Sequence, residues 1–396
     1  MLLSLLVYSL TGAVLFYLGW HVNRREQRLL QQGGKQLPFY SWEIMLSLFV
    51  FAFVAGARYH TGYDHAMYLE QYQHLQQTGE FSRDNFEYGF EWISKIFAWC
   101  HSHYFFFFAF WALLQIGFLY FGLRNRKHLL CWVGLGIMCG SFFLNWMNSV
   151  RQSVVVCLFV ALISLIENRK LKQYLWIFLI VIVAAFIHKS ALLLLPVFLI
   201  LFLMSYYNKD IKVSNKWVLL AVLSGFVLLG IKPFWIDYFS NYQWFLDLTG
   251  YQNYGNLDDP NVAGKFRTLN WGPSRMCILI ANVFVIWFYA DMKSYFKADK
   301  LLPYFFLLAF VGMCLSNLLI NTSHFILRPV EYFTMFYLLM GAYLMVYFVK
   351  NKKFPMAVIL FVLLYSHFLF NVYKAVFMPS VTNAPFLYHT FLIPAI

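Results

Sequence analysis

Apolar runs of about 15–20 residues recur from one end of this chain to the other, joined mostly by short polar connections. A hydrocarbon core roughly 30 Å thick needs about 20 such residues in a helix, fewer where the helix is packed inside protein. The runs are continuous rather than alternating, which excludes a β-barrel. Only 12% of residues are charged, about half the share of a soluble domain, so little mass remains for folding outside a membrane. The reading is an all-α, polytopic integral membrane protein with about twelve spans, over residues 2–20, 38–57, 104–122, 129–147, 153–166, 174–187, 190–204, 217–231, 276–290, 302–320, 330–349 and 355–370. No internal repeat divides the chain, so residues 1–396 form one membrane domain, with two larger connections at 58–103 and 232–275.

Every second connection is basic. Nineteen of the 30 lysines and arginines, against five acids, fall in the loops around Arg24, Arg124, Arg169, Lys209, Lys293 and Lys350. The positive-inside rule places those loops in the cytoplasm and both termini outside it. The net charge of +13 then faces the anionic leaflet and calls for no nucleic acid. Leu2–Trp20 has no basic stretch before it and no clear cleavage site, and reads as a retained helix. Five of the six cysteines lie inside apolar runs with no CxxC spacing, which suits neither a disulfide framework nor a zinc site.

Two spans separated by the basic turn Glu167–Gln173 would return the chain to the side it left. Arg151 and His188 therefore share one face, opposite the basic loops. The other ionisable groups expected there are Arg58, His60, Asp64, Glu87, Glu91, Lys189, Arg267, Arg275, His324, Arg328 and Glu331. Arginine suits phosphate and pyrophosphate because its planar guanidinium forms paired hydrogen bonds to oxyanions. Each arginine taken alone is equally well read as an interfacial anchor. His188 is a proton acceptor near neutral pH or a polar cap on a tight turn. Asp64 and Glu87 are bases or ligands of an acceptor hydroxyl. Glu87 and Glu91, at i and i+4, would share a helix face, and a helix from Asn85 would turn Phe90, Ile93, Ile96 and Phe97 together. Glu331 reads as a local ion-pair partner of Arg328. The aromatic residues of 232–275 are either a sugar-stacking surface or an interfacial belt. No nucleotide-binding loop, HExxH or GxSxG is present, and Asp258-Asp259 reads as a turn.

Five stretches carry a resemblance. RYHTGYDHAMY (Arg58–Tyr68), FEYGF (Phe86–Phe90), SVRQS (Ser149–Ser153), FIHKSALLLLP (Phe186–Pro196) and LRPVEYF (Leu327–Phe333) resemble, in that order, the elements of the EpsG-like, Wzy-type bacterial polysaccharide polymerases. Tyr88 stands where proline is expected, and residues 232–275 match no element of that family. The resemblance implies a glycosyltransferase of GT-C-like architecture. It would move a growing glycan from undecaprenyl pyrophosphate to a new lipid-linked repeat unit, outside the cytoplasmic membrane and without cofactor or metal. His188, Glu87 and Asp64 would be catalytic. Arg58, Arg151, Gln152, Arg275, His324 and Arg328 would bind the pyrophosphate and the substrate. A chain-length regulator and a flippase would be its partners. An O-antigen ligase, or another lipid-phosphate-dependent glycosyltransferase, would use nearly the same residues. A lipid-linked glycan flippase would also be helical and basic, but would be expected to show an internal repeat and cytoplasmic termini.

Overall fold

Each apolar run that lies within the described residues is helical. The computed structural model describes residues 2–62, 64–83, 86–168, 171–206, 218, 272–319, 324–377 and 387–392. The expected span at 217–231 apart from residue 218, most of the aromatic segment 232–275, and the side chains of Arg267, Arg275, His324 and Arg328 lie outside them. The helices are α1 (Leu2–Gln31), α2 (Trp42–Gly56), α3 (His65–Thr78), α4 (Tyr88–Trp99), α5 (Tyr104–Gly122), α6 (Leu130–Cys139), α7 (Phe142–Asn148), α8 (Val150–Leu165), α9 (Leu171–Ala185), α10 (Leu194–Tyr206), α11 (Pro273–Trp287), α12 (Tyr289–Tyr295), α13 (Leu302–Leu319), α14 (His324–Lys350) and α15 (Phe354–Phe377). Among the described residues the only β pairing is an isolated bridge between Arg58 and Thr390.

Among the described residues, four helical stretches are by themselves long and apolar enough to cross a membrane: Leu2–Gln31, Tyr104–Gly122, Pro329–Lys350 and Phe354–Phe377. Two bent pairs raise the number to six. The segments expected as single spans at 129–147 and 276–290 are these pairs, bent by 64° and 51°. The first break falls at Gly140-Ser141, where Ser141 takes a φ of 63°; small, helix-poor residues are a usual cause of such kinks. Trp42–Gly56, Val150–Leu165, Leu171–Ala185, Lys189–Met204 and Leu302–Ser316 are apolar but shorter.

α8 is the central helix. Val154, Val155, Cys157, Phe159, Val160 and Ile163 are fully buried, with α5 on one side and α14 on another. Its 16 residues rise about 24 Å, and that rise separates two polar ends. At its C-terminal end Arg126 bonds Glu167 and both oxygens of Asp299, Tyr343 donates to Asp299, and Lys127 pairs with Glu26. Glu43 pairs with Arg25 and His21. These contacts tie together connections that the charge pattern assigned to one side. Arg151 begins the other end. On the outside the pattern is reversed: α9 and α15 keep Leu175, Leu179, Ile182, Phe354, Val358 and Phe377 exposed, as helices facing lipid do.

α4 departs from its expected register. Phe90 is buried and Ile93 and Phe97 are partly so, but Ile96 is 58% exposed, and the inward positions are Ser94 and Ala98. Small residues there let α4 lie close against its neighbours, a requirement that apolar periodicity does not register.

Candidate active site

The loop after α2 is fastened from far along the chain. Tyr59 N–H donates to His389 O (2.8 Å), Thr390 Oγ1 to Ala57 O (2.6 Å), and Tyr388 OH to Val54 O (2.7 Å). Tyr388 N–H donates to Ser4 Oγ, so residues 387–392 clasp the starts of α1 and of this loop together. Arg58 points inward from the loop. It is fully buried, donates to Met147 O at 3.0 Å, and lies 4.8 Å above the Phe108 ring. Burial brings its guanidinium down to about 9, which leaves it a cation at neutral pH. His65 stacks on the same Phe108 ring, and burial, Arg58 and His60 push it down to about 2, so it is neutral. Arg58 is therefore a staple between the loop and the end of α7. Gly62 turns the loop with a φ of +96°, and a side chain there would collide with Asn148 Oδ1. Asp64, half-buried, precedes α3.

α3 carries Tyr68 to Arg151, whose Nε donates to the phenol at 3.2 Å. The Arg151 guanidinium rests on Phe86 and Phe90, 4.9 and 5.4 Å from the ring centres. Its Nη1 makes a short charge-assisted bond to Glu87 Oε2. The other oxygen of Glu87 accepts from Lys189 N–H at 3.1 Å and lies 3.0 Å from His188 Nδ1. Glu87 is buried; burial alone would raise its carboxyl, but the His188 hydrogen bond, the Arg151 charge and the Lys189 amide outweigh it and hold it at about 2. A carboxylate accepting from Nδ1 fixes the tautomer in which Nε2 is the basic nitrogen.

Gly89 allows this approach. Its N–H and that of Phe90 donate to Phe186 O, and a Cβ at position 89 would stand 2.7 Å from that oxygen. The first turn of α4 thus caps the last turn of α9, bringing Glu87 to His188. Ser190 Oγ bonds Tyr332 OH at 2.7 Å, and Ser149 Oγ reaches Glu331 at 3.4 Å. All five sequence elements, spread from Arg58 to Phe333, therefore meet at one end of α8.

Glu87, Arg151 and His188 come together directly. Gln152, the third residue of α8, is buried. Glu91 does not share a face with Glu87, which lies just before the helix; Glu91 pairs with Lys95 at 2.8 Å. Glu331 reaches Ser149, a contact beyond the local pairing expected of it. Tyr68, Ser190 and Tyr332 also bond within this cluster; being uncharged they leave no mark on the charge pattern, although each lies inside one of the five stretches. Beside Glu87 opens a cleft of about 610 Å³ between α4, the 80–83 turn and the end of α9. Among the described residues no three His, Cys, Asp or Glu side chains are grouped to hold a metal ion.

No curated protein matches the chain, and no solved structure does. A family model described as the EpsG family matches residues 42–388, which include all five elements and nearly the whole chain, and the protein belongs to the EpsG family.

Proposed function

We propose that this protein polymerises lipid-linked oligosaccharide repeat units by glycosyl transfer at the outer face of the bacterial cytoplasmic membrane. EpsG membership suggests a polysaccharide-biosynthesis polymerase. The observation that carries the mechanism is the Glu87 carboxylate held between Arg151, His188 and the Lys189 amide. In the proposed step an acceptor hydroxyl attacks the anomeric carbon of the donor glycan. The bond from that carbon to the pyrophosphate oxygen breaks, and undecaprenyl pyrophosphate leaves with the electron pair. His188 Nε2 takes the hydroxyl proton, and Glu87, ionised throughout, orients the imidazole and stabilises its protonated form. Arg151, kept rigid by Tyr68 and Glu87, supplies positive charge where the leaving group develops its own.

Purified protein incubated with undecaprenyl-pyrophosphate-linked repeat units should give a ladder of longer glycans. Glu87→Gln and His188→Ala should each abolish the ladder while reaching the membrane at normal levels. Transfer of a single finished glycan to a lipid acceptor, with no ladder, would replace polymerase with ligase.

A further inference from the structure

The cleft beside Glu87 has two unlike walls. Arg83, Phe86, Tyr88 and Lys95 are on one side; Ile182, Ala185, Phe186 and Leu192 are on the other, with Lys189 at the junction. Lys95 is already neutralised by Glu91. Arg83 and Lys189 are exposed, and among the described residues neither has an ion-pair partner. Glu80 is the acid at the same rim. The apolar wall does not end at the cleft. It continues down α9 as Leu171, Leu175, Leu179, Ile182 and Phe186, each 47–62% exposed and spaced by three or four residues on one helix face. That stripe is about 22 Å long. A ligand matching both parts has an anionic head and a long apolar chain.

We propose that this cleft seats a polyprenyl pyrophosphate, its isoprenoid chain along the exposed stripe of α9 and its phosphates at Arg83 and Lys189. This rests on the reading that the substrate is a lipid-linked pyrophosphate, and it moves the headgroup away from Arg58, which is sealed under the loop. The glycan, attached beyond the second phosphate, then lies against Glu87. Arg83 and Lys189 are binding residues. Glu80 weakens the site by repulsion.

The test uses the full chain in phosphatidylcholine nanodiscs, with geranylgeranyl pyrophosphate bearing a benzophenone on its chain as the probe. Photolabel should map to residues 171–186. The Arg83→Gln, Lys189→Gln double variant should weaken probe binding at least about tenfold, as expected for loss of charge-assisted contacts. Glu80→Gln should tighten it. Both variants alter exposed side chains, and an unchanged melting temperature verifies folding. Unchanged binding by the double variant overturns the proposal, as does label in the apolar cavity lined by Trp132, Asn282 and Tyr337 instead of on α9. Equal displacement by phosphatidylglycerol also overturns it, in favour of a general anionic-lipid surface. Failure of the unaltered protein to bind the probe at all would remove the lipid-pyrophosphate reading with it.

Discussion

Arg151 and Glu87 lie 64 positions apart in the chain and form a largely buried ion pair across the start of α8 and the start of α4. The arginine reaches in two directions at once, from Nη1 to the carboxylate and from Nε to Tyr68 OH.

Arg151→Lys should therefore fail although the charge is kept. An ammonium is a point charge and cannot span both partners as a planar fork does. The expected loss is about 2–4 kcal/mol in the transition state, roughly 30- to 1000-fold in polymerisation rate. Rate measurement on protein of normal membrane level checks it. Near-normal activity in an Arg151→Lys, His188→Gln double variant would sink this site.

Acid should weaken the same clamp. Glu87 is held at about 2 against an ordinary 4.5, so the unfolded chain binds the extra proton between those values. The pair contributes up to roughly 3 kcal/mol above pH 4.5, and that contribution is lost as pH falls toward 2. Thermal unfolding of the unaltered protein should lose stability over this window more steeply than unfolding of Glu87→Gln. Parallel pH profiles would show that the clamp adds no stability.

Gly89→Ala tests the seam between α4 and α9. The added methyl would meet the Phe186 carbonyl, which is backbone and cannot swing away. Overpacking of this kind costs about 1–3 kcal/mol. Because the seam sets the Glu87–His188 contact, activity should fall further than a melting temperature alone would suggest.

Thr390→Val keeps the shape and removes the hydrogen bond to Ala57 O. A loss of about 1 kcal/mol is expected. Increased proteolysis within the 57–62 loop, relative to the unaltered protein, is the measurement.

Sidedness can be read chemically. A cysteine at Thr78, exposed at the end of α3, should react with an impermeant maleimide in intact spheroplasts. One at Gln32, among the basic connections, should not. The reverse result would place the Glu87 cluster in the cytoplasm.

Several of these relationships are legible in the amino-acid sequence. Among the described residues, the connections around Arg25, Arg126 and Asp299 do gather at one end, because charge distribution is a sum over loops and tolerates errors in any one of them. Arg151 and His188 do share a face, since two helices joined by a short turn must return. Glu87 as the link between them was not legible. It lies on a connection of 46 residues, 58–103, and nothing in its neighbours says which turn of which helix it will meet. The deciding feature is Gly89, whose missing side chain is visible in the sequence but whose neighbour, Phe186 O, is not. Apolar periodicity turns Ile96 inward on α4, whereas the structure turns Ser94 and Ala98 inward for their size. The clasp of residues 387–392 has no periodicity to read, and its bonds are mostly to main-chain atoms, which every sequence has.

That clasp sets an order in time. Tyr388 reaches Val54 across 334 positions. At about 5–20 residues per second of synthesis, the Arg58 loop waits on the order of 15–70 s for its fastening after it has left the ribosome. Throughout that interval α2 has no cap from Tyr388 or Thr390, and the two ends of Arg58's environment are made by different moments of translation. Slow codons late in the message would lengthen that interval without changing a single residue of the finished protein.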